Sequence, residues 1–272
     1  MPDIELPKDI VSFVALGDSF TEGMDDPYPD SGQTPTGRYR GWADRVAEHL
    51  AGHVGEVRYA NLAVRGKLIR QIVDDQLARA VELRPDLVTF CAGGNDLIRP
   101  GGDPDELAEI FRDAVAELRG TGATVVVFTG WDPGFQPVMR HLRGKIATYN
   151  MNLRAVADEF DCPVVDLWGM KPLRDHRAWS WDRLHLSAEG HRRLALRVCE
   201  VLGAPVDEDW RAPWPAEEPM PWQAARQQDL HWAKEFLLPW IHRRLTGRSS
   251  GDGLDPKRPD LEPVPACGSD IR

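Results

Sequence analysis

The sequence predicts an α/β protein in which one parallel sheet carries helices on both faces. Short apolar runs rich in β-branched residues alternate along the chain with segments of helical periodicity. Each run is short enough to form a strand that is buried on both faces. Alternating strands and helices favour parallel pairing through right-handed crossovers, which places the sheet between two helical layers. The length of 272 residues suits one such domain with an extension.

Five strands and several helices are expected in the first three quarters of the chain. The strand-like runs are IVSFVAL, EVRYANL, DLVTFCA, TVVVFTG and PVVDLW. Apolar residues recur three and four positions apart at residues 68–81, 107–118 and 194–202, which predicts helices there. Asp103 and Glu106 have the residue types and the spacing of a capping box, so the middle helix is expected to begin beside them.

The charge and hydropathy of the chain exclude several classes of partner. The formal net charge is -10 and the pI is near 5.3. Nucleic-acid binding relies on clustered Lys and Arg, so we expect no nucleic-acid partner. No run of about eighteen apolar residues occurs, so we expect no stable membrane insertion. The first residues, MPDIELPKDI, lack the apolar stretch of a secretory signal, which predicts a cytoplasmic protein.

The cysteines agree with that location. Cys91, Cys162, Cys199 and Cys267 have no Cys-x-x-Cys spacing, and three of them lie in apolar segments. This distribution is typical of buried thiols in a reducing compartment. We therefore expect no disulfide framework.

Residues that suit a catalytic site follow four of the five predicted strands. Ser19 follows the first strand in FVALGDSFTEG, Gly66 follows the second in NLAVRG, and Asn95 follows the third in AGGND. Asp182 and His185 follow the fifth strand in WDRLHLSAEGH. Parallel sheets bind ligands beyond the carboxyl ends of their strands, so all of these residues are expected at one edge of the sheet.

Each of these residues also has an ordinary structural explanation. Ser19 and Asn95 are types that turns and helix caps prefer, and Gly66 fits any turn that needs a positive φ. His185 taken alone suits a solvated or a core histidine. Their joint placement after successive strands favours a common site.

These residue types together make up a serine nucleophile with its base and its oxyanion donors. A serine hydroxyl is a weak nucleophile until a base takes its proton, and a histidine titrates near neutral pH. His185 is the expected base for Ser19, and Asp182 is expected to accept a hydrogen bond from the imidazole. The backbone N–H groups of Ser19 and Gly66 and the amide of Asn95 are expected to bind the oxyanion.

Competing histidines and other motifs fit less well. His176 and His191 have no Asp three residues before them. Thr21 stands where the Gly-x-Ser-x-Gly nucleophile elbow of the α/β-hydrolases has its second glycine. The sequence has no phosphate-binding Gly-rich loop ending in Lys-Ser or Lys-Thr and no zinc-binding His-Glu-x-x-His. We therefore expect neither a cofactor nor a metal.

The four sequence blocks resemble those of the SGNH hydrolases of the GDSL lipase/esterase family. GDSFTEG, NLAVRG, GGND and the Asp-x-x-His pair occur in the family's order over about residues 10–203. The resemblance implies a flavodoxin-like three-layer α/β/α sandwich whose five-stranded parallel sheet has the order 2-1-3-4-5. It also implies hydrolysis of ester or related acyl bonds, with Ser19 as the nucleophile.

The expected function is therefore that of a serine esterase that acts on a small-molecule acyl ester through an acyl-enzyme. An acyltransferase or deacetylase that acts on a glycan or another alcohol is an alternative, because the same acyl-enzyme can pass its acyl group to water or to an alcohol. A relative that binds lipid or carbohydrate without catalysis is a second alternative. The intact set of site residues favours an enzyme.

Two polar loops are candidates for the walls of the substrate pocket. The segment MDDPYPDSGQTPTGRYRGW follows the first block, and a long loop of this kind is usually functional or mobile. Tyr39 and Trp42 are its candidate substrate contacts, and core packing is the alternative for Trp42. The segment TGWDPGFQPVMRHLRG after the fourth strand is the second candidate wall.

The chain changes character after Gly203. Residues 1–203 are expected to form the catalytic domain, 204–250 a Pro- and Trp-rich extension with a docking helix, and 251–272 a disordered tail. Five of the ten tryptophans lie in the extension. Disordered segments contain few aromatic residues, so at least the helix of the extension is expected to pack against another surface. Docking on its own domain, a homodimer contact, a lid and a membrane-surface helix are the alternatives for its helix.

Overall fold

The computed structural model describes residues 10–28, 39–218, 221–239 and 249–264. These residues form a three-layer α/β/α sandwich around one six-stranded sheet. The strands are β1 (Ser12–Gly17), β2 (Val57–Asn61), β3 (Leu87–Cys91), β4 (Thr124–Phe128), β5 (Val164–Val165) and β6 (Arg258–Val264). Their order across the sheet is β5-β4-β3-β1-β2-β6. The first five strands pair in parallel in the expected order 2-1-3-4-5. The expected count of five is wrong, because β6 adds a sixth strand that pairs antiparallel with β2.

The helices alternate with these strands as the periodicity predicts. They are α1 (Ser19–Glu22), α2 (Gly41–Val54), α3 (Ile69–Ile72), α4 (Ala78–Leu83), α5 (Gly94–Leu97), α6 (Pro104–Gly120), α7 (Arg143–Glu159), α8 (Ala188–Val201) and α9 (Trp222–Trp232). A π-helical turn joins α3 to α4, and another extends α9. Asp103 caps α6 as expected, because its carboxylate accepts hydrogen bonds from the N–H groups of Asp105 and Glu106. No helix within the described ranges is long and apolar enough to cross a bilayer.

Alternation along the strands divides the core into two clusters. Phe13 of β1 packs with the helices α2 and α8, whereas its neighbour Val14 packs with α3, α4, α6 and α7 on the other face. Phe90 of β3 stacks on Phe111 of α6 with ring centres 4.5 Å apart. A sheet covered on both faces leaves the carboxyl ends of its strands as the accessible edge.

The expectation of disorder over residues 251–272 is wrong for β6. This strand pairs antiparallel with β2, and Val57 lies opposite Val264. Its prolines and charges hide the strand from sequence patterns, yet both are compatible with an edge strand. The buried ammonium of Lys257 anchors its start, because it donates to the carbonyl of Tyr39 at 2.7 Å and pairs with Asp44. Residues 265–272 lie outside the described residues.

The extension packs on the domain that precedes it, through a residue before its helix and through the helix itself. Trp210 is buried against α8, and its indole donates to Glu200 at 2.7 Å. The α9 helix touches the loop that carries Asp182. Docking on its own domain is therefore the arrangement that the described part of the extension adopts. A homodimer through this extension stays a prediction.

The thiols that the structure describes are free. Cys162 and Cys199 are buried, and Cys91 is partly buried at the end of β3. Burial raises the pKa of Cys162 to about 11, so this thiol is neutral at physiological pH. Cys267 lies outside the described residues.

Candidate active site

Ser19 lies directly beyond the carboxyl end of β1, the position that the sheet rule predicts. The buried amide side chain of Gln76 bonds both backbone groups of Gly17, each at 2.9 Å, and so fixes the last residue of the strand. Asp18 then caps the short helix α1, because its carboxylate accepts a hydrogen bond from Phe20 N–H at 3.0 Å. These bonds hold the backbone on both sides of Ser19.

Ser19, His185 and Asp182 form one hydrogen-bonded chain. The hydroxyl of Ser19 lies 2.9 Å from Nε2 of His185, and Nδ1 of His185 lies 2.5 Å from Oδ2 of Asp182. An ionised carboxylate accepts and does not donate, so Nδ1 carries the hydrogen and Nε2 is free to accept the serine proton. This tautomer is the one that a general base requires.

Asp182 and His185 are brought together by a tight turn that is not helical. One oxygen of Asp182 accepts hydrogen bonds from the N–H groups of Leu184 and His185, both at 2.9 Å. Ser180 N–H donates to the carbonyl of His185 at 2.8 Å and closes the turn. Arg183 adopts a left-handed conformation with a φ of 59°. The Asp side chain therefore organises the turn and faces the imidazole at the same time.

The charges of this pair stabilise each other. Burial disfavours the charged form of Asp182, but the bonds from His185 and the backbone outweigh it and lower the pKa of the carboxyl. Burial likewise disfavours the imidazolium, but the hydrogen bond and charge of Asp182 outweigh it and raise the pKa of His185. A raised pKa makes His185 a stronger base.

Asp25 is a residue of this site that the sequence reasoning missed. Its carboxylate accepts a hydrogen bond from the hydroxyl of Ser180 at 2.5 Å, and that hydroxyl lies 3.4 Å from Asp182. Asp25 has a φ of 69°, a conformation that is sparsely populated outside glycine and clusters at functional sites. Its place in a polar loop gave no pattern that points to it.

Asp25, Asp182 and His185 also make a group that is compact enough to be tested as a metal site. Their ligand atoms lie within 4.8 Å of one another. Both ring nitrogens of His185 already have partners, however, because Nδ1 faces Asp182 and Nε2 faces Ser19. The donor set therefore suits a proton relay better than a metal ion.

Asn95 reaches the same site from the end of β3. Its side-chain NH₂ donates to the carboxylate of Asp18 at 2.9 Å and to the carbonyl of Lys67 at 3.1 Å. Gly93 makes this turn possible, because it has a φ of 92° and a Cβ there would lie 2.5 Å from the Tyr149 hydroxyl. To donate to an oxyanion, the amide must either share a hydrogen between the oxyanion and one of these acceptors, or break its hydrogen bond to that acceptor.

Gly66 lies near Asn95 but is covered from outside. The next residue, Lys67, supplies the backbone carbonyl that Asn95 binds. Gly66 has a φ of 74°, and a Cβ at this position would lie 2.1 Å from the hydroxyl oxygen of Ser249. It does not line the cavity beside Ser19, whereas Asn95 does.

An apolar cavity of about 120 Å³ opens beside Ser19, Asn95 and His185. Its hydrophobic lining comes from α1, α5, α7, the end of β4 and the segments after α5, β4 and β5. It consists mainly of Phe20, Leu97, Ile98, Phe128, Trp131, Met139, Ile146, Leu167 and Leu184. The segment TGWDPGFQPVMRHLRG therefore contributes the wall that the sequence predicts. A lining of this kind accommodates a hydrocarbon group and leaves the polar chemistry at one end.

Trp42 does not fit the expected role of a substrate contact. Its side chain is 0% exposed, and its indole donates to the carbonyl of Phe20 at 2.9 Å. It belongs to the core, which was the alternative for this residue. Tyr39 does not line the cavity either, and its ring lies 5.2 Å from the guanidinium of Arg65.

The competing histidines lie away from Ser19. His191 is buried, accepts a hydrogen bond from Trp42 N–H at Nδ1, and donates from Nε2 to the carbonyl of Met24. Burial lowers its pKa to about 4, so it stays neutral and has a structural role. The side chain of His176 is 74% exposed and faces Asp175 and Glu217.

Comparison with known proteins supports the fold. Axe2, an acetylxylan esterase from Geobacillus stearothermophilus, is 20% identical, with a TM-score of 0.56 over 76% of this chain and 98% of that chain. The psychrotrophic esterase EstA from Pseudoalteromonas sp. is 12% identical, with a TM-score of 0.55 over 71% and 96%. The structure of TesA is 21% identical, with a TM-score of 0.57 over 70% and 97%. At these identities the likeness establishes the fold alone.

A sequence model of a protein family gives a family assignment, which the structural comparisons do not give. No curated protein matches the sequence significantly. The model of the GDSL-like lipase/acylhydrolase family matches residues 15–193, which is more than half of the chain and includes all four sequence blocks. The protein therefore belongs to the GDSL-like lipase/acylhydrolase family.

Proposed function

We propose that this protein is a serine esterase that hydrolyses small esters of apolar acyl groups through an acyl-enzyme. The observation that carries the proposal is the hydrogen-bonded chain from Ser19 through His185 to Asp182, which opens on an apolar cavity. Membership of the GDSL-like family supports hydrolase activity. Acyl transfer to an alcohol would use the same intermediate and stays a prediction from the sequence.

Acylation begins with the Ser19 hydroxyl. As its oxygen attacks the ester carbonyl carbon, the proton passes to Nε2 of His185, and Asp182 stabilises the imidazolium that forms. The backbone N–H groups of Ser19 and Gly66 and the amide of Asn95 are the proposed donors to the oxyanion. The tetrahedral intermediate collapses when His185 gives the proton to the leaving alcohol oxygen and the carbon–oxygen bond of the ester breaks.

Deacylation repeats these steps with water. His185 takes a proton from water as the water oxygen attacks the acyl carbon, and then returns that proton to Ser19 as the acid leaves. The acyl chain is proposed to occupy the apolar cavity throughout. Burial of each further methylene contributes about 0.8 kcal/mol, or about fourfold in reactivity, until the cavity is full.

Covalent labelling with alkyl fluorophosphonates tests this function. Attack by Ser19 displaces fluoride from phosphorus and leaves a stable ester, so mass spectrometry should locate one adduct on the peptide that contains Ser19. Ser19→Ala should abolish labelling in a folded protein. Lengthening the alkyl group from ethyl to hexyl should accelerate labelling by up to about fourfold for each methylene that enters the cavity.

Two outcomes would contradict the proposal. An adduct on another residue would remove Ser19 from the reaction. A folded protein that forms no adduct but binds a lipid or a glycan saturably would favour the non-catalytic alternative.

A further inference from the structure

The α9 helix of the extension lies directly on the turn that holds Asp182 and His185. The indole N–H of Trp232 donates to the backbone carbonyl of Asp182 at 2.9 Å. The guanidinium of Arg183 lies 4.9 Å from the centre of the Trp232 ring. Its Nη1 also lies 2.7 Å from a carboxylate oxygen of Asp229, one turn earlier on α9. Helix and turn are thus joined by a hydrogen bond, a cation–π contact and an ion pair.

These contacts fall at the strained part of the turn. Arg183 has a φ of 59°, a conformation that costs free energy for a residue with a Cβ and persists where its surroundings hold it. Trp232 binds the carbonyl on the N-terminal side of Arg183, and Gln136 donates to the carbonyl of Arg183 itself at 3.1 Å. Two side chains from outside the turn therefore fix two successive peptide groups.

The fixed peptide groups control the orientation of the imidazole. The carboxylate of Asp182 holds both the backbone of the turn and Nδ1 of His185. Rotation of the peptide that Trp232 holds would therefore move the carboxylate relative to the imidazole. A displacement of this kind affects the chemical step more than substrate binding, because the cavity wall opposite the turn is unchanged.

We propose that Trp232 is a positioning residue, which acts from the C-terminal extension to hold the Asp182–His185 turn in its catalytic geometry. The inference rests on the proposed function for its kinetic test, but its geometry does not depend on the identity of the substrate. It also gives the extension a role in catalysis, besides its packing on the domain. The family match ends at residue 193, so this contribution lies outside the matched region.

The test compares two substitutions on the same helix. Trp232→Phe keeps a ring beside Arg183 but removes the N–H that binds the Asp182 carbonyl. Trp222→Phe is the matched control, because its side chain is 74% exposed at the other end of α9. We expect Trp232→Phe to lower kcat for an ester substrate by about tenfold, with KM within about twofold, and the control to equal the parent.

The pH dependence separates positioning from a general loss of structure. A looser turn weakens the bond that stabilises the imidazolium, so the pKa of His185 should fall and the acid limb of the kcat/KM profile should move to lower pH. An NMR titration of His185 in the 272-residue chain measures the same fall in its pKa without a substrate. Asp229→Ala, at an exposed position that pairs with Arg183, should act in the same direction with a smaller loss.

The outcomes distinguish this inference from the proposed function. Equal kcat values and equal His185 titrations for Trp232→Phe and Trp222→Phe would overturn the positioning role. If Trp232→Phe does not fold, a parent-like kcat and titration in Asp229→Ala would overturn it instead. A parent protein without esterase activity would refute the function, and a His185 titration that still shifts in Trp232→Phe would retain the positioning role.

Discussion

Three carboxylates influence the His185 imidazole. Asp182 binds Nδ1, and the charges of Asp25 and Asp18 also raise the pKa of His185. Asp18 is itself buried, and this burial raises its pKa to about 6 despite the bonds from Phe20 and Asn95. The contribution of Asp18 therefore fades as the pH falls through about 6, whereas the base remains oriented by Asp182.

Replacing Asp25 tests whether a second carboxylate tunes the base. Asp25→Asn removes a negative charge that stabilises the imidazolium, so the pKa of His185 should fall. Catalysis by the neutral imidazole is present above that pKa and lost below it. The acid limb of the kcat/KM profile should therefore move to lower pH. The plateau value of kcat should fall by no more than about threefold, because a weaker base transfers the proton less well.

Ser180→Ala is the matched control for that change. It removes the hydroxyl that Asp25 binds but keeps the Asp25 charge. A profile that moves in Ser180→Ala and stays fixed in Asp25→Asn would show that the hydroxyl matters and the charge does not.

Asn95→Ala tests the proposed side-chain donor to the oxyanion. Loss of one such donor should lower kcat by about a hundred- to a thousandfold with little change in KM. The substitution also takes a hydrogen bond from the buried carboxylate of Asp18, so the pKa of Asp18 should rise further. Steady-state kinetics above pH 7 keeps that second effect small, and activity within a few fold of the parent would remove Asn95 from the oxyanion site.

At the scale of elements, β6 contributes a hydrogen-bonded edge, and Lys257 directly before it contributes a buried charge pair. Lys257 is 6% exposed and Asp44 is 2% exposed, and the ammonium also binds two backbone carbonyls. Tyr28 and Tyr59 donate to the same carboxylate at 2.7 and 3.2 Å. Lys257 thus completes a polar cluster on the α2 face of the sheet, and β6 itself covers the edge of β2.

A chain that ends after Asp255 should lose stability. It lacks the pairing with β2 and leaves the Asp44 carboxylate buried without its ammonium, a loss of about 3–5 kcal/mol in the free energy of unfolding. Thermal unfolding of this variant and of a chain that ends after Val264 measures the effect, because the longer variant keeps β6. Equal melting temperatures for the two truncated chains would show that β6 contributes nothing to stability.

At the scale of the whole molecule, the sequence predicts the parallel sheet and the convergence of its loops. Strand length and helical periodicity are local properties, and the carboxyl ends of parallel strands lie at one edge of the sheet. The sequence alone therefore predicts that Ser19, Asn95, Asp182 and His185 lie close together. Residues whose roles depend on tertiary contacts could not be predicted in this way. Trp42 has the same sequence signature whether it faces a ligand or the core.

The parts that sequence reasoning missed all involve contacts between distant segments. Asp25 reaches the site through Ser180, 155 residues away, and Trp232 reaches Asp182 from 50 residues away. The pattern of β6 is that of a polar tail until its partner β2 is known. No periodicity or motif spacing reports such pairings, because each depends on where the completed fold places the two segments.

The position of β6 after the five other strands in chain order has a consequence for biosynthesis. Translation delivers β1 to β5 and the whole family-matched region before Arg258–Val264 emerges from the ribosome. During that interval the edge of β2 is available to any other extended chain, because its final neighbour does not yet exist. The nascent protein therefore contains Ser19, Asp182 and His185 before it can close its sheet, and a chain that stops before Arg258 would keep those residues but leave the edge of β2 open to pairing with another chain.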